Sequence, residues 1–320
     1  MSVARPARRK TSPAFPGSSW SPATQSPLRL RAVAATGMPM SKTEDIRPTI
    51  RLSQTSAGPA GRDPFDLTDR GLMLGDGVFD TSLMVAGKVL LMEAHLERLA
   101  KDAAALGIDV DPGTLRSFAA DAIPDDAEDG ALRLTVTRGP GPRGVAPRAL
   151  GEATLISKFD PGKPAFPAPP IRLACSDILR NPSAPSSRRK TLSYTDAVIG
   201  TQRAKAAGFD DALYLTPGGH AACTSIANIF ARFGQTLVTP PLEDGVVDGI
   251  MRAWLLKTAP DAGFKVEVAS LSAQALARAD ALYLTNSLQL IRAVEGLDDI
   301  RFDAALPVSL VELFTDLLDS

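Results

Sequence analysis

The stretch 161–170, PGKPAFPAPP, constrains the fold of this chain more than any other segment. Four further prolines follow Pro161 within these ten residues, and proline fits neither a helix interior nor a central strand. We therefore expect a semi-rigid linker here. It divides the sequence into predicted domains at 46–160 and 171–320, each long enough to bury a core of its own.

Residues 1–45 are expected to lie outside both domains. The first 43 residues carry seven Lys and Arg side chains but no Asp or Glu, and they show no hydrophobic periodicity. Three interpretations are open: an organelle transit peptide, a start codon assigned too early with Met38 or Met40 as the true start, or a disordered arm. We favour the early start codon. A secretory signal is excluded, because the segment has no continuous apolar core.

Charge and cysteine content exclude several classes of function. Seven of the 35 basic residues lie in that tail, which leaves 28 basic against 36 acidic residues in 44–320. An acidic body argues against a nucleic-acid partner, and no apolar run approaches the roughly 18 residues of a membrane-spanning helix. Two cysteines indicate a reducing compartment. We expect a cytoplasmic protein that acts on a small molecule, or an organellar one if residues 1–39 are a genuine transit peptide.

The hydrophobic pattern predicts a mixed α/β fold. Strands 78–85 and 88–92 flank the turn Ala86-Gly87, and a helix over 93–106 places Leu96 and Leu99 on one apolar face. Further strands are predicted at 131–138, 153–157, 211–216, 229–233 and 281–285, and further helices at 196–207 and 249–262.

The segment Gly139-Pro-Gly-Pro-Arg-Gly144 matches the G-x-G-x-x-G pattern of dinucleotide-binding folds. That site needs a helix that starts inside the glycines, and Pro140 and Pro142 forbid one. We predict a hairpin loop instead, in which Arg143 is held over a substrate carboxylate.

The remaining candidate ligands are assigned no role. His95 and His220 are the only histidines, and neither has the spacing of a metal ligand. We predict that both are bystanders, that there is no metal site, and that Cys175 packs in the core.

Several segments, in order over roughly 66–295, resemble the class IV aminotransferases, the fold type IV pyridoxal-phosphate enzymes. No single segment is decisive, but the ordered set is. The segments are Asp69–Asp80 (DRGLMLGDGVFD), Glu93–Leu99 (EAHLERL), Lys190–Tyr194 (KTLSY), Ala227–Phe230 (ANIF), Thr239–Leu242 (TPPL) with Gly249–Arg252 (GIMR), and Ala279-Asp280 with Thr285–Ser287 (TNS).

The resemblance implies a small N-terminal sheet-plus-helices domain and a larger barrel-like α/β domain, with pyridoxal 5'-phosphate in the cleft between them. It also implies a homodimer in which loops of one subunit close the other's site. By the same resemblance Lys190 is the catalytic Schiff-base lysine, and the cofactor-binding residues are Arg98, Lys190, Tyr194, Cys223, Asn228, Ile250, Met251 and Asn286.

The residue types suit these roles on physical grounds. A lysine that bonds to a carbonyl must be neutral, and the neighbouring cations Arg188 and Arg189 favour a neutral Lys190, although a solvated basic loop has the same pattern. Arg98 lies among apolar helix positions, so its guanidinium can reach an interior phosphate. Residues 245–249 precede an apolar helix whose first amides can donate to a phosphate.

One position departs from the family pattern. Five residues before Asn228 the family has a glutamate against the pyridine nitrogen, and this chain has Cys223. A carboxylate keeps that nitrogen protonated, which makes the ring a strong electron sink, whereas a neutral thiol does so poorly. Three explanations are open: the enzyme has lost activity, its reaction needs less electron withdrawal by the ring, or a thiolate replaces the carboxylate.

Within the family, the resemblance is closest to the lyases that eliminate pyruvate from 4-amino-4-deoxychorismate to give 4-aminobenzoate, a folate precursor. This closer resemblance rests on the Arg138–Arg143 loop, Gly249–Arg252 and Asn286. We expect that activity, with Lys190 as proton shuttle and Arg143 as substrate clamp. The alternatives are a transaminase of the branched-chain or D-amino-acid type and a PLP-binding or non-catalytic paralogue.

Overall fold

The structure, a computed structural model, describes residues 49–54, 65–146 and 152–320. The predicted extension, residues 1–45, lies outside the described residues. All described residues belong to one compact unit, so the division into two domains stays a prediction. Among the described residues, no helix combines the length and the apolar character needed to cross a membrane.

The described residues of the N-terminal part form an antiparallel sheet with three helices. Its strands are β1 (Thr49–Gln54), β2 (Gly77–Val85), β3 (Lys88–Val89), β4 (Gly130–Thr137) and β5 (Thr154–Pro161), and its helices are α1 (Arg70–Leu74), α2 (Met92–Ala105) and α3 (Pro112–Ala122). The strand order is β1-β5-β4-β2-β3. The predicted hairpin at Ala86-Gly87 is confirmed, as is the α2 helix. The loop between β4 and β5 contains no helix in its described residues 138–146, as its prolines predict.

Helix α2 lies against this sheet through the apolar face that its sequence predicts. Leu96, Leu99 and Ala103 are buried in one cluster with Val78 of β2 and Leu132 of β4. Their spacing of three and four residues is that of one helical face. The packing fixes α2 over β2, and it thereby places the polar residues of both elements beside the site described below.

Helix α3 is absent from the sequence prediction, although its start carries two clear signals. The Asp111 carboxylate accepts a hydrogen bond from the Thr114 amide, and Pro112 occupies the first helical turn. Leu115 and Phe118 are buried at helical spacing. The helix is therefore predictable from its cap and periodicity, and the prediction was incomplete there.

The C-terminal part is a larger sheet with four α-helices. Its elements are β6 (Ile171–Cys175), α4 (Thr195–Ala206), β7 (Asp211–Leu215), β8 (Ala221–Thr224), β9 (Asn228–Phe233), β10 (Thr236–Thr239), α5 (Ile250–Thr258), β11 (Lys265–Val268), α6 (Ala273–Leu276), β12 (Ala281–Asn286), β13 (Leu290–Leu297), β14 (Ile300–Arg301) and α7 (Val308–Asp319). The strand order is β11-β10-β9-β12-β13-β6-β7-β8, and β8 also pairs with β9. That pairing closes the sheet on itself, which confirms the predicted barrel-like α/β fold.

Strand β8 corrects the sequence prediction. The sequence predicts no strand between 211–216 and 229–233, but β8 lies there, and its Cys223 pairs with Tyr214 of β7. Cys223 also pairs with Asn228 of β9. Four residues are too few to show the alternation by which a strand is recognised. The segment 162–170, which joins β5 to β6, contains neither helix nor strand.

Candidate active site

A cavity of about 650 Å³ lies between β2, the segment that carries Lys190, and the start of α5. Its size suits a small molecule. It brings together eight of the nine predicted site residues, which are Arg98, Lys190, Tyr194, Cys223, Asn228, Ile250, Met251 and Asn286. A neighbouring cavity of about 840 Å³ shares part of the wall formed by residues 184–193. Lys190 lines only the first cavity, which is therefore the candidate active site.

The amine of Lys190 faces aromatic side chains in this cavity. Its Nζ donates to Tyr194 Oη at 3.3 Å and lies 4.4 Å from the centroid of the Phe79 ring. The two flanking cations have other partners, since Arg189 pairs with Asp102 and the exposed Arg188 donates to a backbone carbonyl. The expectation that these cations tune the amine is therefore not supported by the contacts.

The main chain around Lys190 is docked onto β2 of the other sheet. The Phe79 amide donates to the Lys190 carbonyl at 2.9 Å, and the Leu192 amide donates to the Gly77 carbonyl at 3.0 Å. A Cβ atom at Gly77 would lie 2.6 Å from the Val136 carbonyl oxygen of β4 and 2.9 Å from the Leu192 side chain. Glycine therefore lets β2 pack closely between β4 and the segment that carries Lys190.

Arg98 belongs to a buried ionic network. Its Nε and Nη2 donate to the two carboxylate oxygens of Asp80, each at 2.8 Å, and Nη1 donates to the Asp248 carbonyl at 3.1 Å. His95 Nδ1 lies 2.7 Å from Asp80 Oδ1. The prediction that His95 is a bystander is wrong. His95 and Arg98 are three residues apart and share a helical face. That spacing could have predicted that the two side chains belong to the same network.

The network determines the ionisation of Asp80. Burial by itself would raise the pKa of this carboxyl group, but the hydrogen bond from His95 and the charge of Arg98 outweigh burial and lower the pKa to about 2. Asp80 therefore stays ionised, and it holds the Arg98 guanidinium at the cavity wall with one nitrogen directed towards Asp248.

We expect Asp80→Asn to destabilise the protein by about 3 kcal/mol at pH 7, because it leaves a buried cation without its counter-charge. A lowered pKa stabilises the fold above the unfolded value of about 4, and this contribution is lost as the pH falls towards about 2. The difference between wild type and variant should therefore shrink below pH 4. Urea unfolding at pH 7 and pH 3 measures it, with the exposed Asp177→Asn as control; equal differences at both pH values would contradict the assignment.

The start of α5 presents backbone amides to the cavity. Gly249 is the N-cap, no side chain caps the helix, and Ile250 and Met251 line the cavity. Asn228 Nδ2 donates to the Val247 carbonyl at 3.0 Å, and a Cβ atom at Gly249 would lie 2.0 Å from Asn228 Oδ1. Asn228 thus orders the approach to the helix, whose free amides suit an anion.

Two buried hydroxyl groups on the cavity wall lack a partner. Thr224 Oγ1 and Thr285 Oγ1 form no hydrogen bond with the described residues, and both residues line the cavity. Buried polar groups are normally satisfied, so the wall is suited to a polar ligand. Asn286 instead organises the next turn, because its Oδ1 accepts from the Leu288 and Gln289 amides at 3.0 and 2.8 Å.

Residues 77–297 match the family model described as amino-transferase class IV. The chain belongs to the class IV aminotransferase family. It is 31% identical over 235 residues to a putative branched-chain-amino-acid aminotransferase of Methanocaldococcus jannaschii, a match that covers 72% of this chain and 81% of the relative.

Other relatives in the family carry a different name. An aminodeoxychorismate lyase of Bacillus subtilis is 25% identical over 239 residues, 73% of this chain and 82% of the relative. The crystal structure of 4-amino-4-deoxychorismate lyase from Pseudomonas aeruginosa superimposes with a TM-score of 0.72 at 29% identity and covers 85% of this chain and 98% of that one. The fold type IV architecture is therefore shown. The relatives include both lyases and transaminases.

Cys223 lies on the cavity wall that the family pattern assigns to its glutamate. Burial raises the pKa of the Cys223 thiol and Asp211 raises it further, against the opposing charge of Arg180. The thiol is therefore neutral at neutral pH, which argues against a thiolate in place of the carboxylate. Among the described residues that line the cavity, the only carboxylate belongs to Asp196, which is exposed.

Arg143 does not fulfil its prediction within one chain. It is exposed and lines neither cavity, because the stiff Gly/Pro loop that carries it turns its side chain to solvent. Arg133 of β4, which the sequence analysis missed, does line the site. Its guanidinium lies 3.6 Å from the Phe79 ring centroid and forms no hydrogen bond with the described residues. An arginine between the buried Leu132 and Leu134 was the available signal.

Cys175 also departs from its prediction. Strand alternation places it on the same face as the buried Ile171 and Leu173, but Cys175 is the last residue of β6 and is exposed rather than packed in the core. Its amide donates to Asp298. His220 is half-buried, 4.0 Å from Asp244, and contacts nothing in the cavity.

Proposed function

We propose that this family member uses pyridoxal 5'-phosphate to eliminate pyruvate from 4-amino-4-deoxychorismate and so forms 4-aminobenzoate. The observation that carries the choice of reaction is the neutral Cys223 on a cavity wall without a buried carboxylate. It favours a reaction that needs less electron withdrawal by the cofactor.

The cavity residues fit this cofactor. Lys190 supplies an amine for its aldehyde, the amides at the start of α5 and the Arg98 guanidinium suit its phosphate, and Tyr194 suits its phenolic oxygen. The unpartnered Thr224 and Thr285 hydroxyls leave room for further polar contacts. When bound, the cofactor withdraws electrons from the substrate carbon that bears the amine.

Lys190 is the proton carrier in the proposed reaction. Its Nζ takes the proton from the ring carbon that bears the substrate amine, the bond between the adjacent ring carbon and the enolpyruvyl oxygen breaks, and the proton is passed to the departing enolpyruvate, which becomes pyruvate. Tyr194, at 3.3 Å, orients that Nζ by accepting its hydrogen bond. Arg133, whose guanidinium is free of protein hydrogen bonds among the described residues, binds a substrate carboxylate.

The elimination makes the substrate ring aromatic, and this supplies a driving force that a transamination lacks. A weaker electron sink is then tolerated. The lyase reaction is therefore consistent with Cys223. A transaminase has to remove and return a proton without the driving force of aromatisation.

We expect Cys223→Glu to raise the ratio of transaminase to lyase turnover severalfold, because a carboxylate would strengthen the electron sink. Both rates are measured on the same preparation, with pyruvate and 4-aminobenzoate for the lyase and an amino-donor screen for the transaminase. The exposed Cys175→Ser is the matched control. An equal rise in both rates would remove Cys223 as a selector of the reaction.

The second candidate is an amino-acid transaminase of the branched-chain or D-amino-acid type, which the 31% identity to the Methanocaldococcus relative supports. Purified protein with the cofactor and 4-amino-4-deoxychorismate decides between the two. Equal appearance of pyruvate and 4-aminobenzoate supports the lyase. Turnover only with an amino donor supports the transaminase, and no turnover with either supports a non-catalytic paralogue.

The proposal includes a cytoplasmic homodimer. The exposed Arg143 loop suits a role at the partner's cavity rather than its own. Sedimentation of the purified protein measures the assembly, and a monomer that retains full turnover would contradict it.

A further inference from the structure

The segment that carries Lys190 has no regular structure of its own. It lies between a short 3-10 turn at Pro185–Arg188 and the start of α4. Its position is therefore set by contacts with other parts of the chain. Two of these are the hydrogen bonds to Phe79 and Gly77 of β2 described above. The third, which fixes the Lys190 amide itself, comes from a side chain.

That side chain is Asp102 of α2. One carboxylate oxygen accepts the Lys190 amide at 2.9 Å, and the other accepts Arg189 Nη1 at 3.2 Å. Only 5% of the Asp102 side chain is exposed. The carboxylate therefore bridges two consecutive residues, and Arg189 provides the counter-charge that makes its burial tolerable.

Asp102 also shares its helix with Arg98. The two residues are four apart, so they lie one above the other on one face of α2. Arg98 is held at the cavity wall by Asp80, and Asp102 holds the main chain of Lys190. One rigid helix thus sets the separation between the guanidinium proposed for the cofactor phosphate and the residue proposed to bond its aldehyde.

We propose that Asp102 is a positioning residue that fixes Lys190 for its bond to the cofactor. The inference rests on the proposed function. Asp102 touches neither the cavity nor the Lys190 amine, and it acts only through the main chain of Lys190 and the Arg189 side chain. Its loss leaves a partly buried amide unpaired and frees the Arg189 cation beside Lys190.

Two substitutions separate the hydrogen bond from the charge. Asp102→Ala removes both contacts, whereas Asp102→Asn keeps an oxygen that can accept the Lys190 amide. Asp69→Ala is the matched control. Asp69 is also buried, and its carboxylate accepts hydrogen bonds from the Gly71 amide and the Thr137 hydroxyl, but it makes no contact with the Lys190 segment.

The experiment measures the rate at which pyridoxal phosphate becomes attached to Lys190, by absorbance and by borohydride trapping with mass spectrometry. We expect Asp102→Ala to slow attachment roughly 10–100-fold, the scale of a misplaced reacting group. Asp102→Asn should recover most of the rate, and Asp69→Ala should attach at the wild-type rate despite its lost stability. Attachment by Asp102→Ala at the wild-type rate would overturn the proposal.

A second measurement needs no cofactor. Amide hydrogen exchange across residues 188–194 should accelerate in Asp102→Ala and stay at the wild-type rate in Asp69→Ala. Unchanged exchange in Asp102→Ala also overturns the positioning role. If wild-type protein fails to attach the cofactor, the proposed function fails, and the exchange comparison alone then decides whether Asp102 holds the segment.

Discussion

Lys190→Ala is expected to abolish turnover, with kcat reduced by at least roughly 10³-fold. In the proposed function, the variant loses both the amine that bonds to the cofactor and the group that moves the substrate proton, and proton transfer alone contributes about 10²–10⁴-fold. The visible absorption of the bound cofactor should disappear with the amine. Product formation and the absorption spectrum are measured on the same preparation.

The control for this variant is Lys205→Ala, which removes an exposed lysine from the last turn of α4. Its activity and spectrum should match wild type. A Lys190→Ala protein that keeps more than a few per cent of the wild-type rate would show that another group carries the proton. The assignment of this cavity as the active site would then fall.

Arg133→Met is expected to raise the KM for the substrate roughly 10–100-fold and to change kcat less. Methionine keeps an unbranched stem beside Phe79 but loses the guanidinium, and a hydrogen bond to a charged group contributes about 1.5–3 kcal/mol. About 1.4 kcal/mol corresponds to a tenfold change in binding. Steady-state kinetics with 4-amino-4-deoxychorismate gives both constants.

Arg172→Met is the matched control, because Arg172 also stacks over a phenylalanine, with its guanidinium 4.8 Å from the Phe209 ring centroid, but lies outside the cavity. A loss of packing would affect both variants alike, whereas a loss of carboxylate binding affects Arg133→Met alone. Equal KM values for Arg133→Met and wild type would exclude Arg133 from substrate binding.

The sequence predicted the parts of the site that depend on local pattern. Lys190, Arg98 and the start of α5 stand in ordered segments, and helical or strand periodicity assigned most of the elements that carry them. The contact of His95 with Asp80 could not be found in this way, because the two residues come from different elements. Periodicity gives the buried face of each element but not the neighbour that covers it.

Arg133 and Arg143 are two further examples in which local pattern did not predict what surrounds a side chain. Alternation along β4 shows that Arg133 faces away from Leu132 and Leu134, but not that this face borders a cavity. The Gly/Pro segment predicts a hairpin loop, and the strands that flank it, β4 and β5, do pair antiparallel, yet this did not predict where Arg143 points. The direction of a loop depends on what packs beneath it, and local residue types do not specify that.

The docking of the Lys190 segment has a consequence for the chain as a whole. The amine is carried by the C-terminal half, while Phe79, Gly77 and Asp102, which hold its main chain, all belong to the N-terminal half. A chain cut within 162–170 would leave the amine on one fragment and its supports on the other. Under the proposed function, the absorption of the attached cofactor would then appear only when the fragments recombine. The protein is therefore a natural template for a split reporter, in which an absorption band reads out the association of two attached partners.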